Sequence, residues 1–446
     1  MFARITSLSV NLVQRYLPSP FVFALLLTLL VLLLGMATTG QSLVQMTRHW
    51  GNGLWGLLMF TMQMALVLVT GHALANAPAV SRLLDRLARI PRSPGQAIIF
   101  VTLVAMLASL INWGFGLVVG AVFARALARQ VKGVHYPLLV AAAYSGFLVW
   151  HGGLSGSIPL SLATGGADLE RMTGGALTAA VGVEHTLFST LNLAIIAMLV
   201  IGAPLLNRAM QPATPTVADP ALLVDPPAPH VPRETGAQRL DDSRILGLLL
   251  VAMAAVYFGF HFAENGFGLT LNLVIGMFLF AGLLAHGSPE RYARAVQESV
   301  SGISGIIIQF PFYAGIMGMM VGASPEGEVL GRQITDLFIT WSTADSFPVF
   351  AFLSAGLLNV FIPSGGGQWA VQGPIMLPAG QALGVSPEVT AMAIAWGDAW
   401  TNMIQPFWAL PLLAIAGLGA RDIMGYCLIM LLYSGVVIAG AFYFLG

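Results

Sequence analysis

The chain has 446 residues, of which 57% are apolar and only 9% charged, with 19 Lys and Arg balanced by 19 Asp and Glu. A soluble protein of this length covers its surface with far more charge, so that class is excluded and a membrane protein remains. The single cysteine, Cys427, lies in an apolar run, which excludes a disulfide framework and a thiolate metal site.

In chain order, residues 1–17 alternate Phe2, Ile5, Leu8, Leu12 and Val13 with Arg4 and Arg15, the pattern of an amphipathic interfacial helix ending before Pro18. No small-x-small cleavage site follows, so the apolar run after it reads as the first span. Hydrophobic blocks then occur at about 20–37, 53–76, 97–124, 136–164, 184–207, 243–263, 268–286, 299–322, 346–383, 388–416 and 422–445. Two of them resist a simple crossing. Block 97–124 is broken by Asn112-Trp113-Gly114-Phe115-Gly116, and block 346–383 by Asn359 and Pro363-Ser364-Gly365-Gly366-Gly367-Gln368. Each half reads as too short to span alone, so both blocks are expected to be re-entrant hairpins. Between the two halves, residues 208–242 hold seven prolines and no periodicity, and are expected to be a cytoplasmic linker without a fold of its own.

The charges test this layout. With the N-terminus cytoplasmic and neither hairpin crossing, only Arg48, Arg171 and Arg332 of the 19 Lys and Arg fall on the far side. That bias supports nine spans plus two hairpins, with the C-terminus outside. A constant shift places Gly71 on Gly318, Pro78 on Pro325, Phe100 on Phe347 and Asn112 on Asn359; a slightly larger one places Ala141 on Ala393 and Pro159 on Pro411. The expected organisation is therefore an all-α polytopic membrane protein. It comprises the helix 1–17, a first repeat 18–207, the linker 208–242, a connecting span 243–263 and an inverted second repeat 264–446. Such repeats place substrate near the midplane, at broken helices.

Two spans contain such breaks. The first carries Trp150-His151-Gly152-Gly153-Leu154-Ser155-Gly156-Ser157, and the second carries Trp396-Gly397-Asp398-Ala399-Trp400-Thr401-Asn402 before Pro406. Glycine clusters free the backbone and a following proline cannot donate into the preceding turn, so half-helix ends result; tight helix packing is the alternative reason for the glycines. Asp398 lies about 16 Å along a helix starting after Pro387, deep in the bilayer. A buried carboxylate there must be paired, coordinated or protonated, and no Lys or Arg lies in the hairpins or broken spans. That points to coupling with H⁺ or Na⁺, a Na⁺ lying near Asn359 and Asp398; a helix-break cap is the alternative. His151 is placed to donate to a carboxylate or carry a proton, or else to be a satisfied buried imidazole.

Asn112, Trp113, Gly114, Ser155, Ser157, Asn359, Ser364, Gly365, Gly366, Gln368, Thr401 and Asn402 supply neutral donors and acceptors around these breaks. The absence of a cationic clamp suits a small monocarboxylate, with Trp113, Phe115, Trp150, Trp369, Trp396, Trp400 and Phe407 as an apolar wall. There is no H-E-x-x-H, no nucleophile elbow and no phosphate loop, so a membrane enzyme is not expected. The competing class is a cation/proton antiporter that uses Asp398 as its coupling carboxylate.

The strings Trp50-Gly51-Asn52-Gly53-Leu54-Trp55, Ile111-Asn112-Trp113-Gly114-Phe115-Gly116-Leu117, the His151–Ser157 run, Pro363–Trp369 and Trp396–Asn402 resemble the bacterial short-chain fatty acid transporter family over essentially the whole chain. The resemblance implies uptake of acids such as butyrate or acetoacetate by cation symport. It also implies the ion-transporter superfamily fold: a homodimer whose scaffold supports a moving, elevator-like transport domain holding both hairpins. The Ser-Asn-Thr tip motif of the superfamily's dicarboxylate branch is absent here, so that branch's sodium ligands are not carried over. The expected partners are the carboxylate, the bilayer of a bacterial inner membrane and a second copy of the chain, with no nucleic acid and no cofactor beyond the coupling ion.

Overall fold

The computed structural model describes residues 2–16, 18–164, 166–173, 175–223, 234–266 and 271–446, and these residues form an all-helical fold. The first half contains α1 (Phe2–Tyr16), α2 (Pro20–Thr39), α3 (Leu43–Gly53), α4 (Leu58–Ala75), α5 (Pro78–Ala88), α6 (Pro94–Ile111) and α7 (Trp113–Gln130). After α8 (Tyr136–Ser145) the chain tightens into a 3₁₀ segment, Gly146–Gly152, and resumes as α9 (Ser157–Thr164), α10 (Gly166–Met172) and α11 (Thr190–Ala209). Two short helices follow, α12 (Pro220–Leu223) and α13 (Gly236–Asp241). The second half runs through α14 (Arg244–Asn265), α15 (Leu271–His286), α16 (Pro289–Ser299), α17 (Ser304–Val321), α18 (Leu330–Thr340), α19 (Phe347–Asn359), α20 (Gly365–Ala382), α21 (Pro387–Thr401), α22 (Pro406–Ala416) and α23 (Ala420–Leu445).

Among the described residues, seven helical stretches are long and apolar enough to cross a hydrocarbon core: Phe21–Thr39, Pro94–Ile111, Tyr136–Ala163, Thr190–Ala209, Gly236–Glu264, Ser304–Val321 and Ala420–Leu445. An eighth is available if α4 and α5, bent by 64° around Pro78, act as one. Pro94–Ile111 corrects one expectation: it is 18 residues long, about 27 Å of helix, so this half of the first broken block is not too short to cross by itself. Outward faces are apolar, as on α14, where Leu249, Met253, Val256 and Phe260 are exposed. Lipid, with no water to exclude, tolerates that surface.

The centre is different. Residues 136–152 are almost wholly buried, as are those of α21. The chain leaves the α-helix at Ser145 and packs the 3₁₀ segment along α6. Glycine is required for this approach: a Cβ on Gly146 would collide with the Ala105 carbonyl carbon, and one on Gly153 with the Leu110 carbonyl oxygen. In the second half the break falls between Thr401 and Pro406. The α-helix continues to Thr401 and stops before Pro406, which has no N–H to give and opens α22.

The linker needs a second correction. Residues 224–233 lie outside the described residues, but the part before them is docked. Tyr136 N–H donates to the Thr216 carbonyl (2.9 Å) and Thr216 N–H donates to His135 Nδ1 (2.8 Å). Arg125 donates through Nε and Nη2 to the Leu222 carbonyl (3.1 and 2.9 Å), within α12. Local composition predicted a free segment; main-chain pairing with a neighbouring loop overrides it.

The dock is sensitive to pH. His135 Nδ1 accepts an N–H, so the neutral ring carries its proton on Nε2 and donates it to Tyr426 Oη (2.7 Å). Burial holds the His135 pKa below its ordinary value of 6.5. Because the folded value is depressed, this contribution is fully present above pH 6.5 and is lost as the pH falls through the lower folded value. Hydrogen exchange at Thr216, corrected for its intrinsic pH dependence, should therefore be faster at acid than at neutral pH, and His135→Asn should remove the difference.

Candidate functional site

The two broken helices meet at their breaks. His151, in the 3₁₀ segment, and Asp398, in α21, are both fully buried, and His151 Nδ1 lies 2.9 Å from Asp398 Oδ2. The other face of the ring fixes the proton positions. Ile158 N–H donates to His151 Nε2 (3.2 Å), with Ser157 Oγ 3.1 Å from the same nitrogen. A nitrogen that accepts a backbone N–H carries no hydrogen, so Nδ1–H donates to Asp398. Trp150 stacks on the imidazole, centroids 4.1 Å apart at 17°. The α20 N-terminus abuts this group: a Cβ on Gly365 would collide with Ser157 Oγ and come within 2.8 Å of His151 Cε1. Gly366 beyond it is exposed, with open space where a Cβ would point, and Leu154 is exposed as well.

Asp398 also joins a second cluster through its backbone. Asn359 Nδ2 lies 2.8 Å from the Asp398 carbonyl, 3.0 Å from Thr401 Oγ1 and 2.7 Å from Asn402 Oδ1. Tyr144 Oη donates to the Asn402 carbonyl at 2.5 Å, bringing the first half of the chain onto the second break.

Asn112 and Asn359, aligned by the constant shift in the sequence, do different work. Asn112 Oδ1 caps α7 by accepting from Gly114 N–H (2.9 Å) and Phe115 N–H (3.2 Å), and Ser155 Oγ accepts from Trp113 N–H (3.0 Å). With those donors satisfied, the α7 N-terminus is closed to a ligand. At the other tip Ser364, not Asn359, caps α20, its Oγ accepting from Gly367 N–H (3.3 Å). Asn112→Ala should lower stability by about 1 kcal/mol, the usual worth of such a cap, measured as the thermal unfolding midpoint in detergent.

The predicted residues thus fall into three neighbouring sets: His151, Asp398, Ser157 and Gly365; Asn359, Thr401 and Asn402; and Asn112, Trp113, Gly114 and Ser155. Gln368 stands apart, donating to the Ala355 carbonyl and to Gln372 Oε1 (both 2.8 Å) and so tying α20 to α19. Four buried polar atoms in these sets have no hydrogen-bond partner among the described residues: Asp398 Oδ1, Asn359 Oδ1, Asn402 Nδ2 and Asn112 Nδ2. Two acceptors and two donors left open in a dry interior are what a small polar ligand or an ion could satisfy.

The aromatic wall is narrower than the sequence suggested. Trp113, Trp150, Phe147 and Trp408 form one mutually contacting group beside His151. Of the others expected there, Phe407 touches this group through Trp408 (ring centroids 5.2 Å apart) and stacks on Phe310, whereas Phe115 faces Phe278 and Trp400 packs on Phe352. Trp396 donates to Asn192 Oδ1 (2.9 Å), while Asn192 Nδ2 donates to the Gly152 and Leu187 carbonyls (2.9 and 2.7 Å). Asn192 clamps the two breaks together, and sequence reading missed it. So did it miss Asn207, which donates to Thr102 and Ser145 hydroxyls across two helices. The one available signal was an amide inside an otherwise apolar block.

Comparison with known proteins identifies the family. The family model described as Short chain fatty acid transporter matches residues 1–445. An Escherichia coli (strain K12) protein provisionally assigned as a short-chain fatty acid transporter is 47% identical over 98% of both chains. A Haemophilus influenzae protein with the same provisional assignment is 42% identical over the full length of both. Among solved structures, the Alcanivorax borkumensis YdaH transporter aligns over 96% of this chain and 97% of its own, with 18% identity and a TM-score of 0.48. By the whole-chain family match and by relatives above 40% identity, this is an integral membrane transporter, not an enzyme, and it belongs to the short-chain fatty acid transporter family.

Proposed function

We propose that the chain accumulates short-chain monocarboxylates of the butyrate and acetoacetate type across the bacterial inner membrane, by symport with H⁺ or Na⁺. The observation that carries this is the polar centre itself. Its charged residues are one carboxylate and one imidazole in contact, surrounded by neutral amides and hydroxyls, with no Lys or Arg in α6, α8, α9 or α19–α21. A second carboxylate on the substrate would meet no cation there. The aromatic group of Trp113, Phe147, Trp150 and Trp408 offers a short alkyl tail an apolar surface.

The accompanying architecture is two inverted repeats, 18–207 and 264–446, joined by the linker and the connecting span 243–263. It has nine spans and two re-entrant hairpins, the N-terminus cytoplasmic and the C-terminus periplasmic. A homodimer moves its transport domain by alternating access. The hydrogen bonds from Asn359 to the α21 break, and from the Trp113 N–H at the first tip to Ser155, support grouping both tips with both breaks as one body.

The test is uptake of radiolabelled acetate, butyrate, acetoacetate and succinate into proteoliposomes, with and without Na⁺ and a pH gradient, corrected for protein-free vesicles. Gradient-driven accumulation of the monocarboxylates but not of succinate is expected. Substrate-free Na⁺/H⁺ exchange would instead make the protein an antiporter.

A further inference from the structure

We infer that the coupling ion is the proton and that His151 binds it, with Asp398 as its fixed counter-charge and the carboxylate of the substrate as its second partner. The inference rests on the monocarboxylate reading above. In the ligand-free arrangement Nδ1–H of His151 is committed to Asp398 Oδ2, and Nε2 is the lone-pair nitrogen, facing Ser157 Oγ and Ile158 N–H. Nε2 therefore is the one place on the ring that accepts a proton without breaking the bond to Asp398.

It also faces the accessible side. Ser157 is half-buried, and Gly365 of α20 lies against the ring with exposed Gly366 next to it. A proton from water on that side adds to Nε2, giving an imidazolium. Nδ1–H stays on Asp398, which remains a carboxylate. Ser157 Oγ becomes an acceptor, and Ile158 N–H, displaced from the ring, is free to donate to an incoming carboxylate. Neutral imidazole and carboxylate become imidazolium between two carboxylates, so acid anion and proton enter together with no change in net charge.

Other charges do not explain the pair. The elements packed against it are α6–α9, α11, α19, α20 and α23. Near its breaks they bring Tyr144, whose hydroxyl is bonded to the Asn402 carbonyl, and Cys427, which is buried. Tyr136, Tyr426, Tyr433 and Tyr443 lie elsewhere on α8 and α23. Arg129, Arg208, Arg421 and Asp422 belong to end turns of their helices, as does Glu388 on α21 itself, and Arg125, one turn further into α7, donates to the Leu222 carbonyl. Trp150, stacked on His151 at 4.1 Å, supplies a reporter, because an imidazolium on the indole face quenches its fluorescence.

Two measurements on the full-length protein in detergent test this, free of diffusion of the acid through lipid. The first titrates ligand-free protein with acid and follows tryptophan emission. A quench lost in both Trp150→Phe and His151→Gln supports the inference; its persistence in His151→Gln overturns it. The second adds butyrate in weak buffer and counts proton uptake with a dye. About one proton per bound butyrate is expected, unchanged when K⁺ replaces Na⁺ and absent in His151→Gln, which still binds weakly. Ser157→Ala, a milder variant, should keep the stoichiometry and weaken binding severalfold. Butyrate binding that needs Na⁺ and takes up no proton overturns the proton assignment and leaves the transport reading standing. Absence of binding by any short-chain acid sinks that reading and this inference together, even where the quench persists.

Discussion

Asp398→Asn is expected to abolish accumulation of butyrate and acetoacetate while leaving the protein folded. An asparagine at this position can turn its amide oxygen toward His151 Nδ1–H and keep the 2.9 Å contact, so the substitution removes charge and little else. Without the counter-charge, a cation at His151 or beside Oδ1 would sit uncompensated in a dry interior, which costs several kcal/mol. The initial rate of gradient-driven uptake into proteoliposomes should fall about 10²-fold or more, the factor that a loss of about 3 kcal/mol produces. Accumulation at the wild-type level in this variant would remove Asp398 from the coupling step altogether. An unchanged elution profile in size exclusion separates lost coupling from lost folding.

The second large effect is structural. Asn359→Leu keeps the branching and heavy-atom count of the side chain but removes the donor that faces three oxygens, on Asp398, Thr401 and Asn402, all within 3.0 Å. Each buried acceptor left without a donor costs about 1–3 kcal/mol, so the variant should lose about 3 kcal/mol in total even if Thr401 keeps its own bond to the Gly356 carbonyl. The change concerns α19 against α21, the packed pair that carries Asn359 and the oxygens it faces. A fall of the thermal midpoint in detergent, together with lost uptake, is expected. Asn112→Ala, by contrast, removes a cap within the first hairpin alone and should be several times milder. If the two variants melt alike, the repeat-equivalent asparagines have equivalent roles after all.

Much of the site was legible before any coordinates. Asp398 was conspicuous because an ionisable side chain in the middle of an apolar block is costly and therefore functional by default. The glycine run around His151 and the proline at 406 marked the breaks, since each acts on the backbone of its own neighbours. What sequence reading could not supply was partnership. His151 was open between a carrier role and a satisfied core residue, and its contact with Asp398 spans 247 residues of chain. Asn112 and Asn359 looked equivalent by the repeat, yet one caps its own helix and the other bonds across to α21. Asn192, which holds Gly152 to Trp396, gave as its only signal an amide inside an apolar block.

The sequence by itself determined that the chain lives in a membrane, that it is helical, where its helices break, and which residue types stand at the breaks. Those properties follow from runs of apolar residues, prolines and glycines, each acting within a turn or two of its own position. Only the tertiary structure decided which of the break residues touch, that Pro94–Ile111 is long enough to cross alone, and that the linker before residue 224 is docked rather than free. Hydrogen-bond partners in a dry interior are chosen by what packs nearby, and packing joins segments that the chain itself keeps hundreds of residues apart.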